Sequence, residues 1–136
     1  MRFVLMLISP EGGWKDVTPE DMREDMKHWS AYGAETVEKG VFIAGEGLQP
    51  SAEAKTVRGG RGEQPVVSDG PFAETKEQVG GFYLLECESI DEAVEWAKKV
   101  PLREGAVEVR PAMDYSEYGY DDPADAGATP ASNASS

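Results

Sequence analysis

Cysteine and histidine are almost absent from this sequence of 136 residues, which contains one of each, Cys87 and His28. A single cysteine cannot form an intrachain disulfide and is too few for a thiolate metal site. A single histidine excludes the usual zinc clusters, and no Ser-His-Asp set can be assembled. We therefore expect no metal and no cofactor, with a purely carboxylate site from Glu46, Asp69 and Glu74 as the alternative left open.

Basic residues and long apolar runs are also scarce. The chain has 13 Lys and Arg against 26 Asp and Glu, a formal net charge of −13. This charge argues against nucleic acid or an anionic membrane surface as a partner. The apolar run at residues 3–8 is too short to span a bilayer, and Pro10 ends it with no small-residue cleavage site after it. We expect a soluble, cytoplasmic protein.

The length suits one folded domain followed by a tail. From Asp114 onward the chain has five acidic residues and no Lys or Arg, and it ends in a segment rich in Ala, Ser and Pro. Such a composition has too little to bury. The sequence predicts a domain over residues 1–113 and a mobile acidic tail over residues 114–136, in which Tyr115, Tyr118 and Tyr120 are the residues able to dock.

Apolar periodicity and turn residues predict an alternating order of strands and helices. Thr18 and Pro19 are typical of a helix start, and Gly40 of a helix end. The first helix is expected to bury a stripe at helical spacing formed by Met22, Met26, Trp29, Gly33 and Val37. The predicted elements are a strand at 2–9, a helix at 19–39, a strand at 41–48, a hairpin at 55–58 and 65–67, a strand at 80–87, a helix from 89 to about 100, and a strand at 106–113.

This order predicts an α+β, ferredoxin-like fold, βαβ, hairpin, βαβ, whose two helices cover one face of a mainly antiparallel sheet. The other face of the sheet is then left uncovered. An exposed apolar sheet face is rarely tolerated in a single chain, so we expect a second copy to cover it in a homodimer.

The most informative segment is residues 66–83. It contains Asp69-Gly70-Pro71-Phe72, then Glu74-Thr75-Lys76-Glu77, then Gly80-Gly81 before an aromatic pair. This segment resembles the DGPF branch of the YCII-related proteins, with supporting matches at 45–50, 93–97 and 107–111. The resemblance spans about residues 1–113 and implies the dimeric α/β-barrel group, in which two such sheets pack face to face. Most members of that branch have no assigned activity, so the resemblance names no reaction.

Three candidate catalytic residues follow. Asp69 lies next to the apolar wall of Phe72, which can raise the pKa of a carboxyl group, although an acid before Gly-Pro also commonly caps a turn. Glu46 lies between two glycines in an otherwise apolar strand, so it faces either a pocket or solvent. His28 is the third, because the resemblance implies a His–Asp pair with its histidine on this helix; an exposed or border position is the alternative.

We expect Gly70, Pro71, Phe72, Lys76 and Trp29 to contact the substrate, with Lys76 as the cation that steadies negative charge; its alternative is a solvated surface lysine. Two functions are open. One is a protein that binds or transforms a small organic molecule by cofactor-free acid/base chemistry in an acid-lined pocket. The other, which the resemblance implies, is a non-catalytic accessory or ligand-sensing protein linked to an extracytoplasmic-function sigma factor. Whether the protein is an enzyme is left open.

Overall fold

The computed structural model describes residues 1–12 and 15–120. The element order is strand, helix, strand, hairpin, strand, helix, strand, as the sequence predicts. The elements are β1 (Arg2–Pro10), α1 (Pro19–Glu38), β2 (Phe42–Gly47), β3 (Lys55–Arg58), β4 (Val66–Asp69), β5 (Glu77–Glu86), α2 (Ile90–Lys98) and β6 (Ala106–Pro111), with short 3-10 helices at Ser51–Glu53 and Tyr115–Tyr118.

Four strands form one sheet in the order β2-β5-β1-β6, and every neighbouring pair is antiparallel. This order and these directions are those of a ferredoxin-like α+β fold, so the predicted fold class is confirmed. Strands β3 and β4 pair only with each other, as a separate two-stranded sheet. The hairpin therefore projects from the connection between β2 and β5.

One face of the four-stranded sheet packs against both helices. Phe3, Leu5 and Leu85 on this face are fully buried. They meet Tyr32 of α1 and Trp96 of α2 in the same core, and the Tyr32 hydroxyl donates to the Trp96 carbonyl at 3.0 Å. This bond ties the two helices together across the core. Cys87 is also buried in this core, as expected of a small core residue.

Helix α1 begins as predicted but buries a different side. Thr18 accepts from the Asp21 N–H at 3.0 Å, and the Asp21 carboxylate accepts from the Thr18 N–H at 3.1 Å. The buried residues of the helix are Asp25, Tyr32 and Thr36, whereas two members of the predicted stripe are exposed, Val37 at 62% and Met26 at 46%. The predicted stripe was therefore wrong in orientation.

Local hydrogen bonds explain how polar residues come to occupy the buried side of α1. Thr36 donates its hydroxyl to the Gly33 carbonyl at 2.7 Å, and Asp25 accepts from the Trp29 indole at 3.1 Å. Because both polar groups find partners on their own helix, their burial costs less than their polarity suggests.

Strand β5 begins three residues earlier than predicted, at Glu77. Glu77 and Gln78 pair with Pro10 and Ser9, and the register then shifts between Leu7 and Ile8. The shift is a β-bulge, and beyond it Glu77 and Gln78 still pair with β1 as part of the sheet. Residues 77–83 of the segment 66–83 are therefore strand and not loop.

The sheet face opposite the helices carries a central strip of five apolar side chains, which are Val4, Met6, Ile8, Phe82 and Leu84. At one side of this strip, on β6, Arg110 pairs with Glu108 at 2.6 Å. Neither helix covers this strip. The predicted homodimer, which needs such a face, stays a prediction.

The predicted tail is described as far as residue 120, and residues 121–136 lie outside the described part. Tyr115, Tyr118 and Tyr120 are all exposed. Among the helices of residues 1–12 and 15–120, none is both long and apolar enough to cross a membrane.

Candidate functional site

A cavity of about 990 Å³ lies between α1 and one end of the sheet. Helix α1 supplies one wall, strands β1, β2 and β5 supply the floor, and the loop before β6 closes one side. The lining includes Met22, Asp25, Met26, Trp29 and Gly33 from α1, Phe42, Gly45, Glu46 and Tyr83 from the sheet, and Arg103 and Glu104 from the loop. The methionines of the predicted core stripe thus line a cavity instead of the core.

Aromatic rings form the wall nearest the sheet. The rings of Trp29 and Tyr83 stack, with centroids 6.5 Å apart and planes 11° from parallel. Phe42 meets Tyr83 edge-on at 6.5 Å, and Tyr32 supports it from the core side at 5.2 Å. Rings held by edge and stacking contacts from two sides present fixed faces to a flat ligand.

Gly45 makes room for the Tyr83 ring. A Cβ at Gly45 would lie 2.8 Å from Tyr83 Cδ1 and 3.2 Å from the Phe82 carbonyl oxygen. Any side chain here would therefore displace the ring. This close approach explains one of the two glycines around Glu46; at Gly47 a Cβ would meet nothing within 4 Å.

Asp25 is the buried carboxylate of the site, with 9% of its surface exposed. One oxygen, Oδ2, accepts from Trp29 Nε1 at 3.1 Å. The other oxygen has no hydrogen-bond partner, and no basic nitrogen lies within 4.0 Å of the carboxylate, among residues 1–12 and 15–120. Asp25 was missed from the sequence. Its spacing of four residues from Trp29 and seven from Tyr32, on one helix face, was the available signal.

The tyrosine hydroxyls near the cavity stay protonated at neutral pH. Burial raises the pKa of Tyr83, and burial, with smaller contributions from Tyr83, Cys87 and Glu35, raises the pKa of Tyr32 well above its ordinary value. Tyr83 lines the cavity, so its hydroxyl is available there as a hydrogen-bond donor.

Two of the predicted site residues on α1 and β2 reach the cavity. Trp29 is part of the aromatic wall. Glu46 also lines the cavity, but it is exposed, and its register partner on β5 is Phe82, which lies on the sheet face away from the helices. His28 is exposed and lines a neighbouring depression of about 460 Å³. Asp25 and Arg103 line both the cavity and this depression.

The other predicted site residues lie on or beside the hairpin, outside both cavities. Asp69 pairs with Lys55 at 2.5 Å, and the Arg58 guanidinium lies over the Phe72 ring at 5.3 Å. Gly70 has a φ of 94° and continues the turn; Pro71 follows it, and the Lys76 carbonyl accepts from the Glu11 N–H at 2.7 Å.

Asp69 belongs to the two-stranded sheet and Glu46 to the four-stranded sheet, and neither Asp69 nor Lys76 is among the residues that line the cavity with Glu46. Nor does any group of three or more His, Cys, Asp or Glu in the described ranges form an arrangement able to hold a metal ion. The carboxylate metal site of Glu46, Asp69 and Glu74 is not formed. The catalytic and substrate-binding assignments on the hairpin stay predictions.

Fold and cavity together define a ferredoxin-like domain with a half-buried, aromatic-walled site beneath its first helix. The family model of the YCII-related domain matches residues 1–116, and the chain belongs to this family. The chain is 36% identical over 118 residues to a protein of Rhizobium meliloti (strain 1021) named "Uncharacterized protein R00369", which covers 85% of this chain and 94% of that protein.

Among solved structures, the chain is similar to 5-chloro-2-hydroxyhydroquinone dehydrochlorinase (TftG) from Burkholderia phenoliruptrix AC1100, in complex with 2,5-dihydroxybenzoquinone. The two are 18% identical, the match covers 90% of this chain and 100% of that chain, and the TM-score is 0.43. At this TM-score the likeness carries no argument about the activity of this chain.

Proposed function

We propose that this protein binds a small, flat organic molecule in the main cavity and transforms it by acid/base chemistry of its own side chains, with Asp25 as the proton acceptor. The observation that carries the proposal is the largely buried Asp25 carboxylate, one oxygen of which is held by Trp29 while the other has no partner among the described residues. A general base must have a fixed orientation and a free lone pair, and this carboxylate has both.

The shape of the cavity supports a drug-sized organic ligand. A volume of about 990 Å³ is near the upper end of the range usual for small-molecule sites, about 300 to 1,000 Å³. The stacked pair of Trp29 and Tyr83 favours a planar ring, since aromatic faces prefer offset stacking. Met22 and Met26 of α1 add flexible apolar side chains to the lining, which adapt to the outline of the ligand.

The acid/base step needs a donor as well as an acceptor. A proton leaving the ligand moves to the free oxygen of Asp25, and the charge of the ligand falls by one unit. Tyr83, whose phenol is a neutral hydrogen-bond donor, and the cation Arg103 both belong to the lining and are the candidates to stabilise the electron pair left on the ligand.

A non-catalytic, ligand-sensing role is the second candidate. One observation favours it: apart from Asp25, the charged residues that line the cavity, Glu46, Arg103 and Glu104, are exposed. Solvated charges are more typical of a binding site than of a closed catalytic site. The two candidates share the cavity and differ in whether the ligand is changed.

We also propose that the protein acts as a homodimer joined through the apolar strip on the open sheet face. The strip needs a cover, and a self-complementary strip paired about a two-fold axis supplies one.

The function is tested by finding the ligand and then following its protons. Mass spectrometry of the gently desalted protein identifies a co-purifying molecule, which is incubated with the protein in D₂O and followed by proton NMR. We expect protein-dependent exchange or conversion that is lost in Asp25→Asn. Glu104→Gln is the matched control at the rim and should exchange as the wild type does. A ligand that binds and is returned unexchanged and unconverted favours the sensing role.

A further inference from the structure

We infer that the main cavity selects organic cations, with a positively charged nitrogen seated between Asp25 and the aromatic wall. The inference rests on the proposed function in that both need a ligand in this cavity. It goes further by naming the charge of the ligand, which the acid/base proposal leaves open.

The first observation is a largely buried carboxylate, one oxygen of which is unpaired among the described residues and remains accessible. Asp25 is nine-tenths buried, and its described partner is the neutral indole N–H of Trp29. A carboxylate removed from water is costly unless a cation or several donors compensate it. The free oxygen of Asp25 has no partner in residues 1–12 and 15–120, so a ligand is the available source of compensation.

Nearby basic side chains do not supply that compensation. Arg103 lines the same cavity, but it is exposed and forms no ion pair with Asp25 within 4.0 Å. On α1, Lys27 pairs with Glu24 at 3.1 Å and belongs to the exposed side of the helix.

The second observation is that three aromatic side chains line the same cavity as the carboxylate. Trp29, Tyr83 and Phe42 line the cavity together with Asp25, and Trp29 contacts both Asp25 and Tyr83. Aromatic faces attract cations through their quadrupole, and several rings around one site are the usual means of binding organic ammonium groups. The aromatic rings and the Asp25 carboxylate therefore both favour a positively charged ligand.

The third observation is the charge of the whole protein. With a net charge of −13, the surface attracts cations and repels anions before contact. Both the cavity and the long-range electrostatic field of the protein therefore favour a cationic ligand. A planar cation, such as an amidinium or a protonated nitrogen heterocycle, fits both the stacking wall and the free oxygen of Asp25.

Three molecules of equal shape and different charge test the inference: benzamidine, benzamide and benzoate. Binding to the full-length protein is measured by titration calorimetry at pH 7, and the site is located by NMR shifts of the Trp29 indole. A hydrogen bond between two charged groups favours benzamidine over benzamide by about tenfold or more. Benzoate should bind most weakly of the three.

Asp25→Asn is the decisive variant, because the amide oxygen can still accept from Trp29 and the shape is unchanged. Its preference for benzamidine should fall to about twofold or less, with benzamide binding unchanged. Glu104→Gln, which removes an exposed charge at the same rim, should keep the wild-type preference within about twofold.

Equal affinity for benzamidine and benzamide, with shifts at Trp29, overturns the cation inference and leaves the proposed function standing for a neutral ligand. An equal loss of preference in Glu104→Gln and Asp25→Asn also overturns it, since the selection would then come from the general field. Failure of all three molecules to bind overturns the inference and counts against the proposed cavity as well.

Discussion

The Trp29 indole N–H donates to the Asp25 carboxylate one helical turn earlier, at 3.1 Å, while the face of the same indole stacks on Tyr83. One side chain thus fixes both the charged group and the aromatic wall of the cavity. Two contacts in different directions leave the ring little freedom to reorient. Trp29 is therefore the residue on which the geometry of the site depends most.

Replacing Trp29 should cost more stability than neutralising Asp25. Trp29→Phe removes the donor and leaves a buried carboxylate unpaired, so the free energy of unfolding should fall by about 1–3 kcal/mol. Asp25→Asn keeps an acceptor for the indole and removes a buried charge, so it should leave stability unchanged or raise it by about 1 kcal/mol. Urea denaturation measures both. The double variant should lose less than Trp29→Phe alone, and an equal loss in both single variants would contradict this account.

Replacing each of two glycines that line the cavity by alanine should change the stability of the protein in opposite directions. Gly45→Ala places a methyl group 2.8 Å from Tyr83 Cδ1, so we expect a loss of about 1–3 kcal/mol and a displaced ring. Gly33→Ala on α1 meets nothing within 4 Å, and alanine stabilises a helix by about 0.5–1 kcal/mol relative to glycine.

Thermal unfolding and the near-ultraviolet circular dichroism of the aromatic rings test the glycine pair. Gly47→Ala is the control on the same strand as Gly45, since its Cβ also has open space. If Gly45→Ala and Gly47→Ala behave alike, the contact with Tyr83 is not what requires glycine at position 45.

The fold was predictable because its signals are local. Thr18 and Pro19 mark the start of α1 whatever the helix packs against, and the alternation of strands and helices leaves few topologies. The orientation of α1 was not predictable in the same way. Met22 and Met26 have the apolarity of core residues but line a cavity, whereas Asp25 and Thr36 are buried because their partners lie on the same helix. Apolar spacing does not distinguish a core from a ligand site.

The candidate site was predicted only in part for a related reason. The density of functional groups in residues 66–83 drew attention to Asp69 and Lys76, which in the structure lie outside the cavity. Trp29 and Glu46, which were also predicted as site residues, line the cavity, and their roles there stay predictions. Which sheet a hairpin joins is decided by tertiary contacts that no short segment encodes.

A charge in the middle of the open face should dissociate the predicted homodimer. Met6 lies at the centre of the apolar strip, between Phe82 and Glu108 in register. Met6→Glu would bury an unpaired charge at the interface, which costs several kcal/mol, so sedimentation should show a dimer for the wild type and a monomer for the variant. Val37→Glu, at an exposed apolar position on α1, should stay dimeric. A wild-type monomer at micromolar concentration would refute the prediction.

Deleting residues 118–136 should leave thermal stability nearly unchanged. Tyr118 and Tyr120, the apolar residues at the start of this segment, are 65% and 73% exposed, so their removal gives up little buried surface. We expect the melting temperature to move by less than about 2 °C in differential scanning calorimetry. A larger fall would mean that the segment packs on the domain.

The raised pKa of Tyr32 predicts a loss of stability at high pH. Burial favours the neutral phenol in the folded state, so the folded protein holds this proton to higher pH than the unfolded chain, whose tyrosines titrate near 10. The stabilisation is complete below about pH 10 and is lost as the pH rises further, by up to about 1.4 kcal/mol per pH unit for one group.

Tyr32→Phe loses the hydrogen bond to the Trp96 carbonyl at every pH but has no proton to release. Its free energy of unfolding, measured in urea between pH 8 and 11, should therefore fall less steeply than that of the wild type. Parallel curves for the two proteins would show that Tyr32 does not carry the effect.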